Sequence, residues 1–129
     1  MSLPNELLYT EEHEWVVVDG DTATVGISAH AANELGDITF VEIPDVGLDV
    51  SQGDVLTAIE SVKAASDVYS PIGGTVAAVN ESLEAQPEIV NDSPEQEGWI
   101  CKLHSVTAED LENLMTEEAY LAYVKDLKS

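Results

Sequence analysis

Arginine is absent from this chain of 129 residues, and only four lysines stand against 26 aspartates and glutamates, a formal net charge of −22. So few cations leave little with which to neutralise phosphates or anionic headgroups, and the unopposed negative field repels both. No nucleic acid and no membrane surface is therefore expected as a partner. Cysteine is almost missing as well: the lone Cys101 excludes an intramolecular disulfide and is compatible with a reducing compartment, so a cytoplasmic location is expected. No apolar run approaches the length of a membrane span. The opening Met1-Ser2-Leu3-Pro4-Asn5-Glu6 has neither the basic start of a signal peptide nor the arginine-rich, acid-poor character of a transit peptide.

What is abundant is acid. A strongly negative domain is drawn to proteins that expose basic patches and resists self-association, so a monomer serving larger partners is expected. A high-salt host would favour the same composition, because carboxylates stay hydrated where salt screens their repulsion. The charge alone leaves both readings open. The length suits one domain with one core.

Along the chain, Trp15-Val16-Val17-Val18, the turn residues Asp19-Gly20-Asp21 and the alternating Thr22-Ala23-Thr24-Val25-Gly26-Ile27 predict a β-hairpin. Ser28 is placed to cap a short helix from His30 to Leu35, which Gly36-Asp37 ends before a strand over Ile38-Thr39-Phe40-Val41-Glu42-Ile43. Turns at Pro44-Asp45-Val46-Gly47 and Ser51-Gln52-Gly53-Asp54 precede the strand Val55-Leu56-Thr57-Ala58-Ile59-Glu60. After Pro71-Ile72-Gly73-Gly74, the strand Thr75-Val76-Ala77-Ala78-Val79-Asn80 faintly echoes the earlier one, Gly20 with Gly73 and Thr22 with Thr75. The spacing of these strands predicts a flattened β sandwich or barrel with two related halves. Residues 91–98 are polar and turn-rich and are expected to form a mobile loop before the strand Trp99-Ile100-Cys101-Lys102-Leu103. From about residue 107 to 127 the pattern turns helical. Thr107 and Asp110 have capping-box spacing, and Thr116 opens a helix with Glu117 and Glu118 near its start and Lys125 and Lys128 near its end. The division expected is a β core over about residues 7–104 with a C-terminal helical extension, all within one domain.

One cation stands apart. Lys63 is the only lysine before residue 102, and it lies where a β-rich run breaks and resumes, in Glu60-Ser61-Val62-Lys63-Ala64-Ala65-Ser66-Asp67. An enzyme that acylates one chosen lysine needs it on a rigid protruding turn with small neighbours, and Val62, Ala64 and Ala65 leave that room. Glu60 and Asp67 flank the turn. Acylation would turn the ammonium into a neutral amide. The plainer alternative is an ordinary surface lysine at a turn.

These residues resemble the H-protein family of the glycine cleavage system, whose members carry lipoate on the lysine of a segment much like Glu60-Ser61-Val62-Lys63-Ala64. The resemblance extends to Tyr9-Thr10-Glu11-Glu12-His13-Glu14-Trp15, Ala23-Thr24-Val25-Gly26-Ile27, Leu35-Gly36-Asp37, Phe40-Val41-Glu42-Ile43-Pro44, Ser66-Asp67-Val68-Tyr69-Ser70-Pro71, Val79-Asn80 and Glu97-Gly98-Trp99. It implies a mostly β fold of the lipoyl-domain, barrel-sandwich hybrid type, with a short internal helix and C-terminal helices. It implies lipoate attached to Lys63, with Glu60, Ser61, Val62 and Ala64 read by the lipoyl-attaching enzyme, and no catalysis by the chain itself. The implied partners are the P-protein (glycine decarboxylase), which loads the aminomethyl group of glycine, the T-protein (aminomethyltransferase), which unloads it, and the L-protein (dihydrolipoamide dehydrogenase), which reoxidises the carrier. The resemblance also implies an arm-docking cleft built from Glu12, Glu14 and Asp67.

Rival readings remain at this level. A biotinyl domain places methionine beside its lysine, where Val62 and Ala64 stand here, and the lipoyl domains of oxo-acid dehydrogenases carry an acidic residue there. An H-like relay or lipoylation donor would use the same lysine. A Schiff-base enzyme would need the amine's pKa to fall, which Glu60 and Asp67 would oppose. His13-Glu14 lacks a second histidine at zinc-site spacing, Asp19-Gly20-Asp21 lacks the remaining ligands of a calcium loop, and Gly73-Gly74 lacks the spacing of a phosphate loop, so no metal is expected. Cys101 is expected to be a buried structural thiol, and Trp15 and Trp99 core or core-edge anchors.

Overall fold

The computed structural model describes residues 7–128, with the side chain of residue 128 excluded. The opening residues read above for targeting signals, and the side chain of Lys128, lie outside the described residues. Ten strands form two antiparallel sheets. Strand β1, Leu8–Tyr9, leads through a turn at residues 10–13 into β2, Glu14–Asp19, and β3, Thr22–Ile27, follows as the predicted hairpin with Gly20 at φ 64°. Helix α1 spans Ala29–Leu35; the Ser28 side chain accepts a hydrogen bond from Ala31 N, and Gly36, at φ 76°, ends it. A positive φ costs glycine nothing and most other residues a good deal, so the stop is written into the sequence.

Strand β4, Ile38–Val41, is shorter than the sequence predicts, and β5, Asp49–Val50, is a two-residue strand that the sequence reading did not anticipate. Strands β6, Val55–Ser61, and β7, Ala65–Tyr69, form the hairpin that carries Lys63, and β8, Gly74–Val79, follows. Helices α2, Ser82–Ala85, and α3, Ile89–Asp92, were likewise not anticipated. Strand β9, Cys101–His104, begins two residues later than predicted, a 3-10 helix covers Ala108–Asn113, and β10, Met115–Thr116, precedes helix α4, Glu117–Lys128.

The larger sheet runs β10-β1-β2-β3-β9-β8-β5 and the smaller β4-β6-β7. Between them lies one core: Val16, Val25, Val76 and Leu103 from the larger sheet meet Ile38, Val41, Ile59 and Val68 from the smaller, with Cys101 buried among them. This is the mostly β sandwich expected, with its short internal helix and C-terminal helix. The faint echo has a structural counterpart. β3 and β8 flank the same strand, and both Thr22 and Thr75 pair with His104, both Ala23 and Val76 with Leu103.

Two expectations are corrected. Thr107 makes no capping hydrogen bond, because the Asp110 carboxylate instead accepts from Gly73 N at 2.8 Å and fastens the 3-10 turn to the start of β8. Residues 91–98 are not a loose loop: α3 takes the first two, Pro94 O accepts from Trp15 Nε1, and Glu95 accepts from both Tyr9 Oη and Ala29 N. The C-terminal extension also joins the main sheet, since β10 pairs with β1. Helix α4 starts as predicted, with Thr116 Oγ1 accepting from Ala119 N, and buries Tyr120 and Val124 against Tyr9 and Trp15. Each such burial contributes about 1.5–3 kcal/mol. Among the described residues no helix is long and apolar enough to cross a membrane.

Candidate functional site

Lys63 stands exposed in the three-residue connection, residues 62–64, between β6 and β7. The connection is stiffened by one side chain. Ser61 Oγ accepts from Lys63 N at 3.2 Å and Ala64 N at 3.1 Å, while Ser61 N donates to Ala64 O at 2.8 Å. Two further bonds anchor the hairpin to the segment after α1: Val62 N donates to Asp37 O, and Thr39 Oγ1 donates to Glu60 O. Val62 is 67% exposed, and Glu60, Ala64 and Asp67 are exposed as well. The lysine stem rests on Gly36, where a Cβ would lie 3.3 Å from Lys63 Cε. Gly36 brings no Cβ against that stem, and its left-handed φ of 76° strains any other residue there.

Beside the hairpin lies a cleft of about 150 Å³ in which all three predicted carboxylates, Glu12, Glu14 and Asp67, meet. Its remaining wall includes Ile27, Leu35 and Val68. Glu60, by contrast, does not line it: it pairs with Ala65 beside the hairpin connection. Glu14 is only 2% exposed, and burial pushes its carboxyl pKa above the usual glutamate value against the opposing pull of its hydrogen bonds. Those bonds come from Thr10 Oγ1 at 2.5 Å and Tyr69 N at 3.2 Å. Thr10 organises the turn before β2, its hydroxyl oxygen also accepting from the backbone N–H of Glu12 and Glu14. Neither Thr10 nor Tyr69 was singled out from the sequence as part of a site. Glu12 and Glu14 line a second concavity of about 580 Å³ on their other side, with Gln52, Asn113 and Met115.

His13 takes a left-handed φ of 73° and lines the same cleft, as does Glu34 of α1, while its Nδ1 lies 2.8 Å from Tyr120 Oη on α4. Tyr120 Oη also meets Ser28 Oγ at 2.7 Å, so one phenol joins the turn, the cap of α1 and α4. Burial, helped by neighbouring His30, holds the His13 pKa below its ordinary value. Burial and the Glu95 carboxylate raise that of Tyr9, and burial raises that of Tyr120. The Cys101 thiol is pushed up to about 12 by burial, an inert structural group. Both tryptophans stand as expected, Trp15 as a core anchor and half-buried Trp99 at the core edge with Lys102 Nζ 5.2 Å from its ring centroid.

Residues 7–127 match the family described as Glycine cleavage H-protein. The chain is 52% identical over 116 residues to the glycine cleavage system H protein of Phenylobacterium zucineum, covering 90% of this chain and 96% of that one. It is 46% identical over 128 residues to the glycine cleavage system H protein of Halothermothrix orenii, covering 99% and 100%. A crystal structure of a glycine cleavage system H protein from Mycobacterium marinum shares the fold at a TM-score of 0.83 and 30% identity, covering 95% of this chain and 99% of that one.

Proposed function

The chain belongs to the glycine cleavage H-protein family of non-catalytic lipoyl carriers, and from that premise we propose that Lys63 bears the lipoyl group and presents it in turn to the P-, T- and L-proteins. The observation that carries this reading is the placement of Lys63. It is the exposed end of a braced hairpin, its stem lies against Gly36, and a cleft lined by the carboxylates Glu12, Glu14, Glu34 and Asp67 opens beside it.

The residues present fit the group. An attaching enzyme must take the lysine into its own active site, and exposed Val62 and Ala64 with the small Ala65 leave that approach open. The Ser61 hydroxyl fixes the backbone from which the lysine side chain projects. When bound, lipoate supplies a disulfide that accepts the aminomethyl unit of glycine at the P-protein and yields it at the T-protein, the remaining dithiol being reoxidised at the L-protein. The cleft residues serve the cation that such a cargo carries. Glu14 is buried and held by two donors, so a positive group at the cleft recovers electrostatic free energy that its desolvation cost. Asp67 adds a second carboxylate, Glu12 and Glu34 a third and a fourth, and Ile27, Leu35 and Val68 exclude water that would otherwise hydrolyse the cargo. The free, buried Cys101 suits action in the reducing cytoplasm.

Intact mass of the protein from its native host tests the attachment: a lipoyl increment is expected and is lost in Lys63→Arg. A biotin increment or an unmodified chain would reject it. Lipoylated protein should then support glycine–bicarbonate exchange with the P-protein, which a pure relay would not. In Glu14→Gln and Asp67→Asn the loaded form should decay faster, and an unchanged lifetime removes both residues from this role.

A further inference from the structure

Helix α1 ends beneath Lys63 and parts two concave surfaces. Ala31, Glu34 and Leu35 face the carboxylate cleft. Ala29, Ala32, Asn33 and Gly36, spaced as one helical face, line a separate groove of about 550 Å³ whose opposite wall is Asn91 and Pro94. We infer that this groove is a second berth for the lipoyl arm of Lys63, taken when the arm carries no charge; the inference rests on the attachment of that arm to Lys63.

Direction and reach come first. The lysine stem lies on Gly36, and Gly36 is itself the end residue of the groove, so the arm leaves the lysine at the groove's mouth. From Gly36 to Ala29 the helix rises about 10 Å at 1.5 Å per residue, a length comparable with the extended acyl arm. The walls are also set in advance. Asn91 Nδ2 donates to Gly36 O at 2.8 Å and Asn91 Oδ1 accepts from Ile38 N at 2.9 Å, which fixes the mouth. Glu95 Oε2 accepts from Ala29 N at 2.9 Å and fixes the far end. A groove held open at both ends loses little entropy when filled.

Charge then sorts the two surfaces. In the cleft, Glu14 is almost wholly buried, so a neutral arm laid over it would remove the last of its water and return no opposing charge. The carboxylates of the groove, Asp37 and Asp92, are exposed and keep their hydration whether or not a chain lies between them. The surface left for the arm is the small apolar wall of Ala29, Ala32 and Pro94. A cationic cargo therefore favours the cleft and a neutral arm the groove.

Neighbouring residues on the two flanks of α1 provide the test. Asn33 lines the groove, Glu34 lines the cleft, and Thr39 is exposed and bonded to the hairpin through Glu60 but lines neither. In lipoylated protein carrying Asn33→Cys, Glu34→Cys or Thr39→Cys, the new thiolate can attack the oxidised dithiolane. The ring S–S bond breaks, a mixed disulfide forms, and the departing sulfur takes a proton, so no outside oxidant is required. Buried Cys101 does not compete. Peptide mass mapping under non-reducing conditions follows the crosslink, each rate being divided by that of the same thiol with a small free disulfide. Capture by N33C is expected to exceed that by T39C at least tenfold and to exceed that by E34C. Capture by N33C no faster than by T39C, or slower than by E34C, overturns the second berth while leaving the lipoyl attachment standing. An unmodified Lys63 in the intact protein overturns both.

Discussion

Burial, more than charge, sets Glu14 apart from the other carboxylates of this acidic chain. Its folded pKa is raised from the ordinary 4.5 by desolvation, so the folded state binds the proton more readily than the unfolded chain. Its contribution to stability is therefore fully present below the ordinary value and is lost as pH rises through the folded value. The His13 shift has the opposite sense: lowered from 6.5, it contributes stability above that value and loses it as pH falls through the window below. Urea unfolding across a pH series should show the stability of the native chain relative to Glu14→Gln falling as pH rises from about 4.5, and relative to His13→Asn falling as pH drops below about 6.5. Asparagine tolerates the left-handed φ of position 13. A pH-independent difference in either comparison would contradict the assigned burial. At this scale the sequence supplied the carboxylates and the lysine, because each sits in a motif. It did not reveal Tyr69 or the contact at Gly36, which join residues distant along the chain, nor Thr10, whose hydroxyl reaches Glu14 four residues on only through the turn before β2.

The β6–β7 hairpin shows how an element can brace the backbone beneath one amine without burying the side chain. Its connection depends on the Ser61 hydroxyl, which accepts from two backbone N–H groups that have no strand partner there. In Ser61→Ala those groups turn to water, so global stability should fall by no more than about 1 kcal/mol. The cost falls instead on the conformation presented to the attaching enzyme. kcat/KM for lipoylation of Lys63 should fall about fivefold, the factor that corresponds to about 1 kcal/mol, and amide exchange at Lys63 and Ala64 should quicken. Ser61→Thr, which keeps the hydroxyl, should recover most of both; modification of S61A at the native rate would show that the turn needs no such brace. Elements with their own signals, the β2–β3 hairpin, α1 with its Ser28 cap and α4 with its Thr116 cap, were legible in the sequence. The two-residue strands β1, β5 and β10 and the four-residue helices α2 and α3 were not. Segments so short do not form alone: a neighbouring strand completes the hydrogen bonds of each short strand, and burial of Leu83 and Val90 in the core holds the two helices, whose bonds are local. Asp110 illustrates the same limit: its spacing from Thr107 suggests a cap, yet a nearby strand offers the better donor in Gly73 N.

At the scale of the whole molecule, the net charge of −22 acts on two equilibria in opposite directions. Like charges repel one another within the fold, so added salt should raise the unfolding midpoint as the Debye length shrinks from about 30 Å at 0.01 M to about 8 Å at 0.15 M. The same screening weakens the attraction of a partner with a basic docking face, so the association rate with the P-protein should drop at least about tenfold over that range. The two effects together separate the explanations of the acidity that composition left open. Where the charge serves partner steering, the association rate falls steeply with salt and the stability gain levels off by about 1 M, where the Debye length is already near 3 Å and little repulsion remains to be screened. Where it serves life in brine, stability continues to climb above that concentration, because the added gain then comes from hydration rather than screening. We expect the first pattern. Lys63 stands without another lysine or arginine in the first 101 residues, and the acylation proposed for it would make the face around the hairpin more negative still, so that modification itself should quicken docking on a basic partner at low salt. Stopped-flow association of apo and lipoylated protein at about 0.01 M and about 0.15 M salt measures both dependences, and equal rates at the two salt concentrations would remove electrostatic steering as the reason for the charge.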